Sequence, residues 1–288
     1  MKDLLAKAEI LTEALPYIKR TWGNKVVIKY GGAAMTDPKL REQVASDIVL
    51  MKLVGINPVI VHGGGPEITS YMERLGMKVE FYNGLRVTSD EAMELVRMVL
   101  VGKVNPELVS AINDHGRYAV GVSGDDGNLV TATQRDERLG RVGDVTAIDT
   151  TIIDKLIEDD FIPVVATVAA GDDGGSFNVN ADSVASELAV ALDADKVIFL
   201  TDVDGLYADV DNPASLISAL TPDQAEEMIV ADLLGGGMVP KVAACVAALR
   251  GGVRRAHILN GTVPHALLLE VYTDEGVGTM IADAIEEN

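Results

Sequence analysis

The sequence is poor in aromatic and in basic residues. Only 4% of its 288 residues are Phe, Trp or Tyr, which argues against stacking platforms for nucleobases or sugars and leaves an aliphatic core. Lys and Arg number 24 against 44 Asp and Glu, and the formal charge of −20 disfavours nucleic acid and anionic membranes as partners. An anion-binding site in this chain therefore requires a local concentration of positive charge.

Cysteine and long apolar runs are also scarce. The single cysteine, Cys245, cannot form an intrachain disulfide, which fits a reducing compartment. No apolar run reaches the roughly 18 residues of a membrane span, and the N-terminal residues lack the apolar block of a signal peptide. The four histidines show no metal-ligand spacing. We therefore expect a cytoplasmic protein with no bound metal of its own.

Short apolar runs rich in β-branched residues recur along the chain, separated by amphipathic stretches long enough for helices. The runs comprise residues 26–30, 58–62, 162–168, 196–201 and 255–259. This alternation predicts an α/β fold with a mainly parallel sheet buried on both faces. Residues 116–145 predict hairpins in a layer outside that sheet. Because no linker interrupts the chain, we expect two lobes of one body that meet near residues 193–196.

Apolar residues at helical spacing precede the first predicted strand. They are Leu4, Leu5, Ala8, Leu11 and Leu15. The helix that they predict either packs on its own domain or forms an arm that joins subunits, and the sequence leaves both alternatives open.

Residues 25–35 form the first window in which the charge of the chain is reversed. Lys29 lies at the carboxyl end of a predicted strand, where open parallel sheets bind their ligands. Gly31 and Gly32 follow, and glycines allow backbone N–H groups to approach an anion closely. The alternative is an ordinary turn beside a solvated lysine.

A second basic window, residues 235–269, contains no acidic residue. Pro240 suits the first turn of a helix, which places Lys241 in that turn. The helix dipole opposes a cation there, so Lys241 is unfavourable for the helix unless an anion binds nearby.

A third glycine-rich loop, residues 63–65, also follows an apolar run. Three successive glycines are costly in backbone entropy, which favours close contact with a ligand. Esterases use a similar loop, but the G-x-S-x-G motif that they require is missing. The phosphate loop G-x-x-x-x-G-K-[ST] and the dinucleotide motif G-x-G-x-x-G are missing too. Any nucleotide site must therefore use another fold.

Acidic residues are concentrated at positions 171–211, where ten acids accompany one base, Lys196. Acids at a strand end beside a glycine turn either contact ribose or Mg²⁺ or simply form the turn. Asp182, which precedes a predicted helix, is either an N-cap or a carboxylate that orients nearby lysines.

Two lysines on different elements, three glycine loops and no obvious general base favour phosphoryl transfer to an acceptor that is already ionised. A carboxylate fits, because it needs no deprotonation. Catalysis would then depend on positioning and on charge neutralisation.

Six segments, in order along the chain, resemble the amino acid kinase family and, within it, the branch that acts on N-acetyl-L-glutamate. They are VIKYGG at 27–32, VHGGGP at 61–66, NGLRVT at 83–88, NVNAD at 178–182, TDVDGLY at 201–207 and GMVPK at 237–241. The resemblance implies a three-layer α/β/α sandwich. It implies an N-terminal oligomerisation helix, a lobe for the acetylamino acid and a lobe for ATP and an effector, at residues 1–22, 23–195 and 196–288.

The implied reaction is phosphorylation of the γ-carboxylate of N-acetyl-L-glutamate by ATP, the second step of arginine biosynthesis, with Mg²⁺ carried on the nucleotide. The resemblance implies that Lys29 and Lys241 stabilise the transferring phosphoryl group while Asp182 orients them. Arg86 would clamp the α-carboxylate of the acceptor. The other acceptor contacts would be Gly64, Gly65 and Asn178, and the ATP contacts Gly31, Gly32, Gly63, Thr201, Asp202, Gly205, Leu206, Tyr207, Gly237 and Met238.

The C-terminal segments, together with Leu15-Pro16-Tyr17, resemble the arginine-inhibited members of the family. This resemblance implies a homohexamer, built as a trimer of dimers, in which L-arginine shifts the population between open and closed lobes. The implied arginine contacts are Tyr17, His265, Glu270 and Gly278.

The chain departs from the family pattern at three positions. Ala33, Asn260 and Thr262 stand where Asn, Asp and Arg are common. The first adjoins the phosphate loop, and we expect the other two to lie near the effector site.

Two other functions are weighed against this one. A sibling kinase would phosphorylate aspartate, glutamate or carbamate, but aspartate kinases append regulatory domains, for which no residues follow Asn288. A non-catalytic arginine sensor would be expected to lose Lys29, Lys241 or Asp182, and the sequence contains all of them.

Overall fold

The computed structural model describes residues 12–32, 35, 37–209, 211–235, 237–273 and 276–283. Its main sheet contains eight strands: β1 (Lys25–Tyr30), β2 (Asn57–His62), β5 (Ala119–Ser123), β8 (Ile162–Ala166), β11 (Lys196–Thr201), β14 (Ala219–Leu220), β15 (Arg255–Asn260) and β16 (Thr279–Ala282). The strand order is β14-β16-β15-β11-β1-β2-β8-β5. Only β15 and β16 pair antiparallel, so the predicted, mainly parallel sheet is confirmed.

Four further strands close into a small barrel in the order β10-β7-β6-β9. They are β6 (Val130–Gln134), β7 (Val142–Ile148), β9 (Val168–Gly171) and β10 (Ser176–Val179). Two short hairpins pair β3 (Phe81–Tyr82) with β4 (Leu85–Arg86) and β12 (Leu206–Tyr207) with β13 (Leu216–Ile217). The prediction for residues 116–145 is therefore wrong in part: β6 and β7 lie outside the main sheet, but β5 forms its edge beside β8.

Ten α-helices connect the strands: α1 (Leu15–Thr21), α2 (Pro38–Leu53), α3 (Gly65–Arg74), α4 (Asp90–Val99), α5 (Asn105–Asn113), α6 (Thr151–Glu158), α7 (Ala181–Ala191), α8 (Pro222–Val230), α9 (Val239–Arg250) and α10 (Ala266–Tyr272), counted over the described residues. A π turn, Leu100–Val104, joins α4 to α5, and short 3₁₀ turns occupy Asp126–Asn128, Glu137–Leu139 and Pro213–Ser215. Asp37 caps α2 by accepting from the N–H groups of Lys39 and Leu40, and Pro38 occupies the first turn. Residues 1–11 of the predicted N-terminal helix lie outside the described residues.

The core has two layers, one on each face of the sheet. Side chains of successive strand residues point to opposite faces, so Val27 joins one apolar cluster and Ile28 the other. Helices α7 and α9 cover the first face through Leu188 and Val242, and α2 covers the second through Ile48. The architecture is the three-layer α/β/α sandwich that the resemblance implied. Across the described ranges, no helix has both the length and the hydropathy needed to cross a membrane.

Candidate active site

Asp182 is held at the start of α7, beside the carboxyl end of β1. Asn180 caps this helix, because its side-chain oxygen accepts from the N–H groups of Asp182 and Ser183 at 2.8 and 3.2 Å. The capping role that the sequence suggested for Asp182 therefore belongs to Asn180. The carboxylate of Asp182 is left for another partner, and an anion in the first turn is favoured by the helix dipole.

Two lysines share that one carboxylate. Lys29 Nζ lies 3.1 Å from Asp182 Oδ1, and Lys241 Nζ donates to Asp182 Oδ2 at 2.9 Å. Lys29 and Asp182 are buried, with relative exposures of 8% and 5%. The cluster therefore carries one more positive than negative charge inside a protein whose overall charge is −20.

Burial and charge have opposite effects in this cluster. Burial lowers the pKa of Lys29, and the nearby ammonium of Lys241 acts in the same direction, while Asp182 opposes the shift. Burial alone would raise the pKa of Asp182, but the two ammonium groups together outweigh it and lower that pKa. Asp182 is thus an anion at neutral pH.

Lys241 lies in the first turn of α9, as predicted. The helix has Met238 at its N-cap position without a side-chain cap, and proline in its first turn. A lysine so close to exposed N–H groups is unfavourable for the helix. The hydrogen bond to Asp182 compensates for this position, and a bound anion would do the same.

The glycines of two loops leave room for these side chains. A Cβ atom on Gly31 would lie 2.7 Å from Lys29 Nζ, so any larger residue would displace the ammonium. A Cβ atom on Gly64 would lie 2.7 Å from Leu100 Cδ2 and 3.2 Å from Val104 Cγ2. A larger residue at Gly31 would therefore shift the ammonium group of Lys29, and one at Gly64 would shift Leu100 and Val104.

A cavity of about 290 Å³ opens in front of the cluster. Among its lining residues are all of the predicted catalytic and acceptor residues: Lys29, Gly64, Gly65, Arg86, Asn178, Asp182 and Lys241. They come from the ends of β1 and β2, the hairpin β3–β4, strand β10 and the first turns of α7 and α9. The structure thus brings these residues together from positions far apart in the sequence.

Arg86 lies in the cavity wall. Its Nη2 donates to Gly65 O at 3.0 Å and to Thr69 Oγ1 at 2.6 Å, and its guanidinium stacks on Phe81 at 5.0 Å from the ring centre. Burial lowers the pKa of Arg86. Among the ion pairs found in the described ranges, none includes this arginine. A buried cation without an acidic partner suits an anionic ligand.

Thr88, which was not among the predicted site residues, contacts two residues predicted to bind the acceptor. Thr88 is fully buried; its Oγ1 donates to Arg86 O at 2.9 Å and accepts from Asn178 Nδ2 at 3.3 Å. Its position in the segment NGLRVT was the only available sign of this role.

A sequence profile described as the amino acid kinase family matches residues 24–260. The chain belongs to the amino acid kinase family. Acetylglutamate kinase from Caldanaerobacter subterraneus subsp. tengcongensis is 51% identical over 281 residues, which cover 97% of this chain and 94% of the relative. Acetylglutamate kinase from Syntrophomonas wolfei subsp. wolfei is 52% identical, with coverages of 97% and 98%. The chain is therefore a phosphotransferase of this family.

Solved structures of N-acetylglutamate synthase from Neisseria gonorrhoeae share the fold of this amino acid kinase. The complex with coenzyme A and N-acetyl-glutamate superposes with a TM-score of 0.85 at 25% identity. The complex with coenzyme A and L-arginine gives 0.81, also at 25% identity. Each match covers 96% of the kinase, but the kinase spans only 64% and 65% of the two synthase chains.

The residues predicted to contact ATP lie mainly beyond β11 and before α9. Leu206 N donates to Thr279 Oγ1 at 2.8 Å, and a Cβ atom on Gly205 would lie 2.4 Å from that same oxygen. Gly32, whose φ is +71°, lies beside the loop of Asp202. The loop after β1 therefore begins beside Lys29 and passes close to the loop after β11.

Asn260 and Thr262, two departures from the family pattern, have a structural explanation. Asn260 Nδ2 donates to Asp204 Oδ1 at 2.7 Å, and Tyr207 Oη donates to Asp204 Oδ2 at 2.9 Å. Thr262 donates to Asn260 Oδ1 through its N and Oγ1. An aspartate at position 260 could not donate to Asp204, so asparagine suits this loop. Asn260 is thus bound to the segment TDVDGLY through Asp204, and Thr262 holds the side chain of Asn260. Their expected position near the effector site stays a prediction. The third departure, Ala33, lies outside the described residues.

The predicted effector residues are brought together only in part. Glu270 Oε1 lies 2.6 Å from His257 Nδ1, and Glu270 Oε2 accepts from Val277 N at 2.9 Å, next to Gly278. Helix α1, which carries Tyr17, packs against α10, the helix that includes Glu270. His265 instead pairs with Asp47 on α2 at 2.7 Å. His257, which was not among the predicted effector residues, is the histidine that contacts Glu270.

Proposed function

We propose that this kinase transfers the γ-phosphoryl group of ATP to the γ-carboxylate of N-acetyl-L-glutamate. The observation that supports this most is the buried cluster of two ammonium groups and one carboxylate, which faces a cavity whose wall contains Arg86. An acceptor with two carboxylates fits a cavity that has basic residues at two positions, Arg86 and the lysine cluster. The relatives named acetylglutamate kinase are about half identical to this chain over almost its whole length. Their names support the same acceptor. The product would be N-acetyl-L-glutamyl 5-phosphate, in the second step of arginine biosynthesis.

The proposed mechanism needs no general base. Arg86 binds the α-carboxylate of the acceptor, and Gly64, Gly65 and Asn178 orient the rest of it. An oxygen of the ionised γ-carboxylate attacks the γ-phosphorus, the bond from that phosphorus to the β,γ-bridging oxygen breaks, and ADP leaves with the electron pair. Lys29 and Lys241 neutralise charge on the transferring group, and Asp182 keeps both ammonium groups in position. Mg²⁺ enters on the nucleotide substrate.

We assign the two substrates to two lobes. Strands from residues before 196 form one half of the sheet, β1-β2-β8-β5, and strands from later residues form the other half. This division supports an acceptor lobe at residues 23–195 and a nucleotide lobe at residues 196–288. The apolar clusters cross the boundary, which fits lobes of one body. The nucleotide contacts would be Gly31, Gly32, Gly63, Thr201, Asp202, Gly205, Leu206, Tyr207, Gly237 and Met238.

The reaction is tested by ADP release with N-acetylglutamate, glutamate, aspartate and carbamate as acceptors. We expect kcat/KM for N-acetylglutamate to be at least about tenfold higher than kcat/KM for each other acceptor. The cavity must distinguish acceptors that differ by a whole functional group. Equal or greater kcat/KM with another acceptor would assign the chain to a sibling activity. No turnover with any acceptor would contradict the proposed function.

Arg86→Lys is expected to raise the KM for N-acetylglutamate and to change kcat little. A lysine cannot form the two parallel hydrogen bonds of a guanidinium, and each charge-assisted bond contributes about 1.5–3 kcal/mol, so KM should rise roughly 10- to 100-fold. Arg74→Lys is the matched control, because Arg74 also stacks on an aromatic ring but is exposed. If KM were the same in both variants, Arg86 would not bind the acceptor.

We further propose that L-arginine inhibits this kinase and that the protein forms a homohexamer, a trimer of dimers. The packing of α1 against α10, beside the buried carboxylate of Glu270, supports a site there for a cationic ligand. The L-arginine complex of the synthase, a protein of the same fold, also supports it. Tyr17, His265, Glu270 and Gly278 remain the proposed contacts, although the ring of His265 faces Asp47.

Deleting residues 1–20 is expected to disrupt the hexamer and to raise the arginine concentration for half-inhibition by at least about tenfold, which corresponds to about 1.4 kcal/mol of lost coupling. The deletion removes Tyr17 and most of α1. Sedimentation velocity measures the oligomer, and ADP release across an arginine titration measures inhibition. Tyr17→Ala in the full chain should weaken inhibition and retain the hexamer. An unchanged hexamer with unchanged inhibition after the deletion would contradict both proposals.

A further inference from the structure

His62 is a fully buried residue that the mechanism above does not use. It lies at the end of β2, directly before the loop Gly63-Gly64-Gly65. Its Nδ1 lies 2.8 Å from Gly63 O, and its Nε2 lies 3.0 Å from Asn105 Nδ2. Because an amide NH₂ group donates, Nε2 must accept. The ring proton is therefore on Nδ1, from which it donates to Gly63 O.

Asn105 is fixed in the orientation that this assignment requires. Its Nδ2 also donates to Val164 O at 2.9 Å, so both amide hydrogens have acceptors. Rotating the amide by half a turn would place Oδ1 against that carbonyl oxygen. Gly121 leaves space for the amide, since a Cβ atom there would lie 1.9 Å from Asn105 Oδ1.

The π turn before Asn105 makes a second contact with the glycine loop, at Gly64. Asn105 directly follows the π turn Leu100–Val104, and both Leu100 and Val104 pack where a Cβ atom of Gly64 would lie. Turns of this type recur at functional sites. Burial lowers the pKa of His62 to about 4, so its ring is neutral at physiological pH.

A fixed carbonyl also fixes the next N–H group. The peptide bond is planar and trans, so Gly63 C=O and Gly64 N–H point in opposite directions. Gly63 C=O points to the ring of His62, and Gly64 N–H therefore points away from that ring. Gly63 and Gly64 both line the cavity.

We propose that Asn105 and His62 are positioning residues, which hold the peptide between Gly63 and Gly64 so that Gly64 N–H faces the acceptor cavity. Asn105 selects the Nδ1–H tautomer of His62, and this tautomer holds the carbonyl of Gly63. The effect on turnover rests on the proposed function; the tautomer does not.

Asn105→Asp tests the proposal, because a carboxylate accepts where the amide donates. His62 should then carry its proton on Nε2 and present a bare Nδ1 to Gly63 O, which turns the peptide. The tautomer is measured from the ¹⁵N shifts of labelled histidine, with the His62 signals assigned by their loss in His62→Gln. We expect the tautomer to switch and kcat to fall about 100-fold, the effect of roughly 1 Å of misplacement.

Asn113→Asp is the matched control. Asn113 lies at the other end of the same helix. In the part of the chain that the structure describes, its side chain donates to Ala119 O and accepts from the N–H groups of Tyr118 and Ala119. It should lower Tm about as much as Asn105→Asp does while leaving kcat and the tautomer of His62 unchanged. A second variant, Gly121→Ala, displaces Asn105 without altering its chemistry and should also reduce kcat.

Two results would overturn the proposal. One is an Nε2–H tautomer in the unmodified protein, which needs no activity measurement. The other is a switched tautomer with unchanged kcat. If the unmodified protein has the Nδ1–H tautomer but shows no turnover with N-acetylglutamate, the proposed function fails and the assignment of the tautomer is supported.

Discussion

Asp182→Asn is expected to lower kcat by roughly a thousandfold, as measured by ADP release at saturating ATP and N-acetylglutamate. The carboxylate holds the ammonium groups of Lys29 and Lys241 within 3.1 and 2.9 Å. A neutral amide would leave two like charges close together in a buried site, and they would move apart. The transferring phosphoryl group would then lose both of its cationic contacts at once.

The variant should also respond differently to pH. The pKa of Lys29 is lowered by burial, and Asp182 opposes that shift, so removing the carboxylate lowers this pKa further. A lysine with a lower pKa is protonated only at lower pH. The activity of Asp182→Asn relative to the unmodified enzyme should therefore increase as the pH is lowered. A constant ratio across the accessible pH range would contradict this coupling.

Stability provides a second measurement on Asp182→Asn. Removing one partner from a buried ion pair costs about 3–5 kcal/mol. The pKa of Asp182 is lowered in the folded state, so the stability that it contributes is present above the ordinary carboxyl pKa and is lost as pH falls through the lowered value. Asp154→Asn is the control, since it breaks the 2.8 Å contact with Lys25 away from the cavity. If Asp154→Asn reduced kcat as much as Asp182→Asn, the loss would not be specific to the cluster.

Lys29→Met is expected to lower kcat by about two to three orders of magnitude while Tm stays the same or rises. Burial of Lys29 is unfavourable for its charge, and Asp182 keeps Lys241 as a partner after the substitution. Methionine fills similar space without a charge. Activity and stability should thus change in opposite directions, which is typical of a residue retained for function.

Lys25→Met is the matched control on the same strand. Lys25 lies at the other end of β1 and binds Asp154 and the carbonyl of Leu192. This substitution should lower Tm slightly and leave kcat unchanged. If Lys29→Met lowered Tm strongly and kcat only in proportion to the folded fraction, Lys29 would be a structural residue.

Strands and helix starts were predictable because their signals are local. The apolar run at residues 196–201 is strand β11, and Pro240 and Lys241 lie in the first turn of α9 as predicted. The run at 162–168 is an instructive exception. It forms two strands, β8 and the start of β9, because the chain leaves the main sheet after Ala166 and enters the barrel. A continuous run of apolar residues does not predict where the chain passes from one sheet to another.

Contacts between residues far apart in the sequence could not be predicted from local sequence patterns. Asp182 and Asn180 both suit a helix start, and only the packing of β1 and α9 against α7 shows which of them faces the lysines. His265 was predicted from the resemblance, but the fold turns its ring to Asp47, and His257 is the residue beside Glu270. Each outcome depends on which elements become neighbours, and that is set by the whole sheet.

The central position of β1 has a consequence for how this enzyme could diversify. The strand pairs with β2 on one side and with β11 on the other, so it lies where the two halves of the sheet meet. The chain winds outward from it in both directions, which opens a crevice at its carboxyl end. In the proposed assignment of substrates, the acceptor loops and the nucleotide loops therefore follow separate strands, and Lys29 lies between them. Insertions or substitutions in the hairpin β3–β4 could alter the acceptor without changing Lys29, Asp182 or Lys241, which lie outside it. This hairpin is therefore the natural place to redesign acceptor specificity.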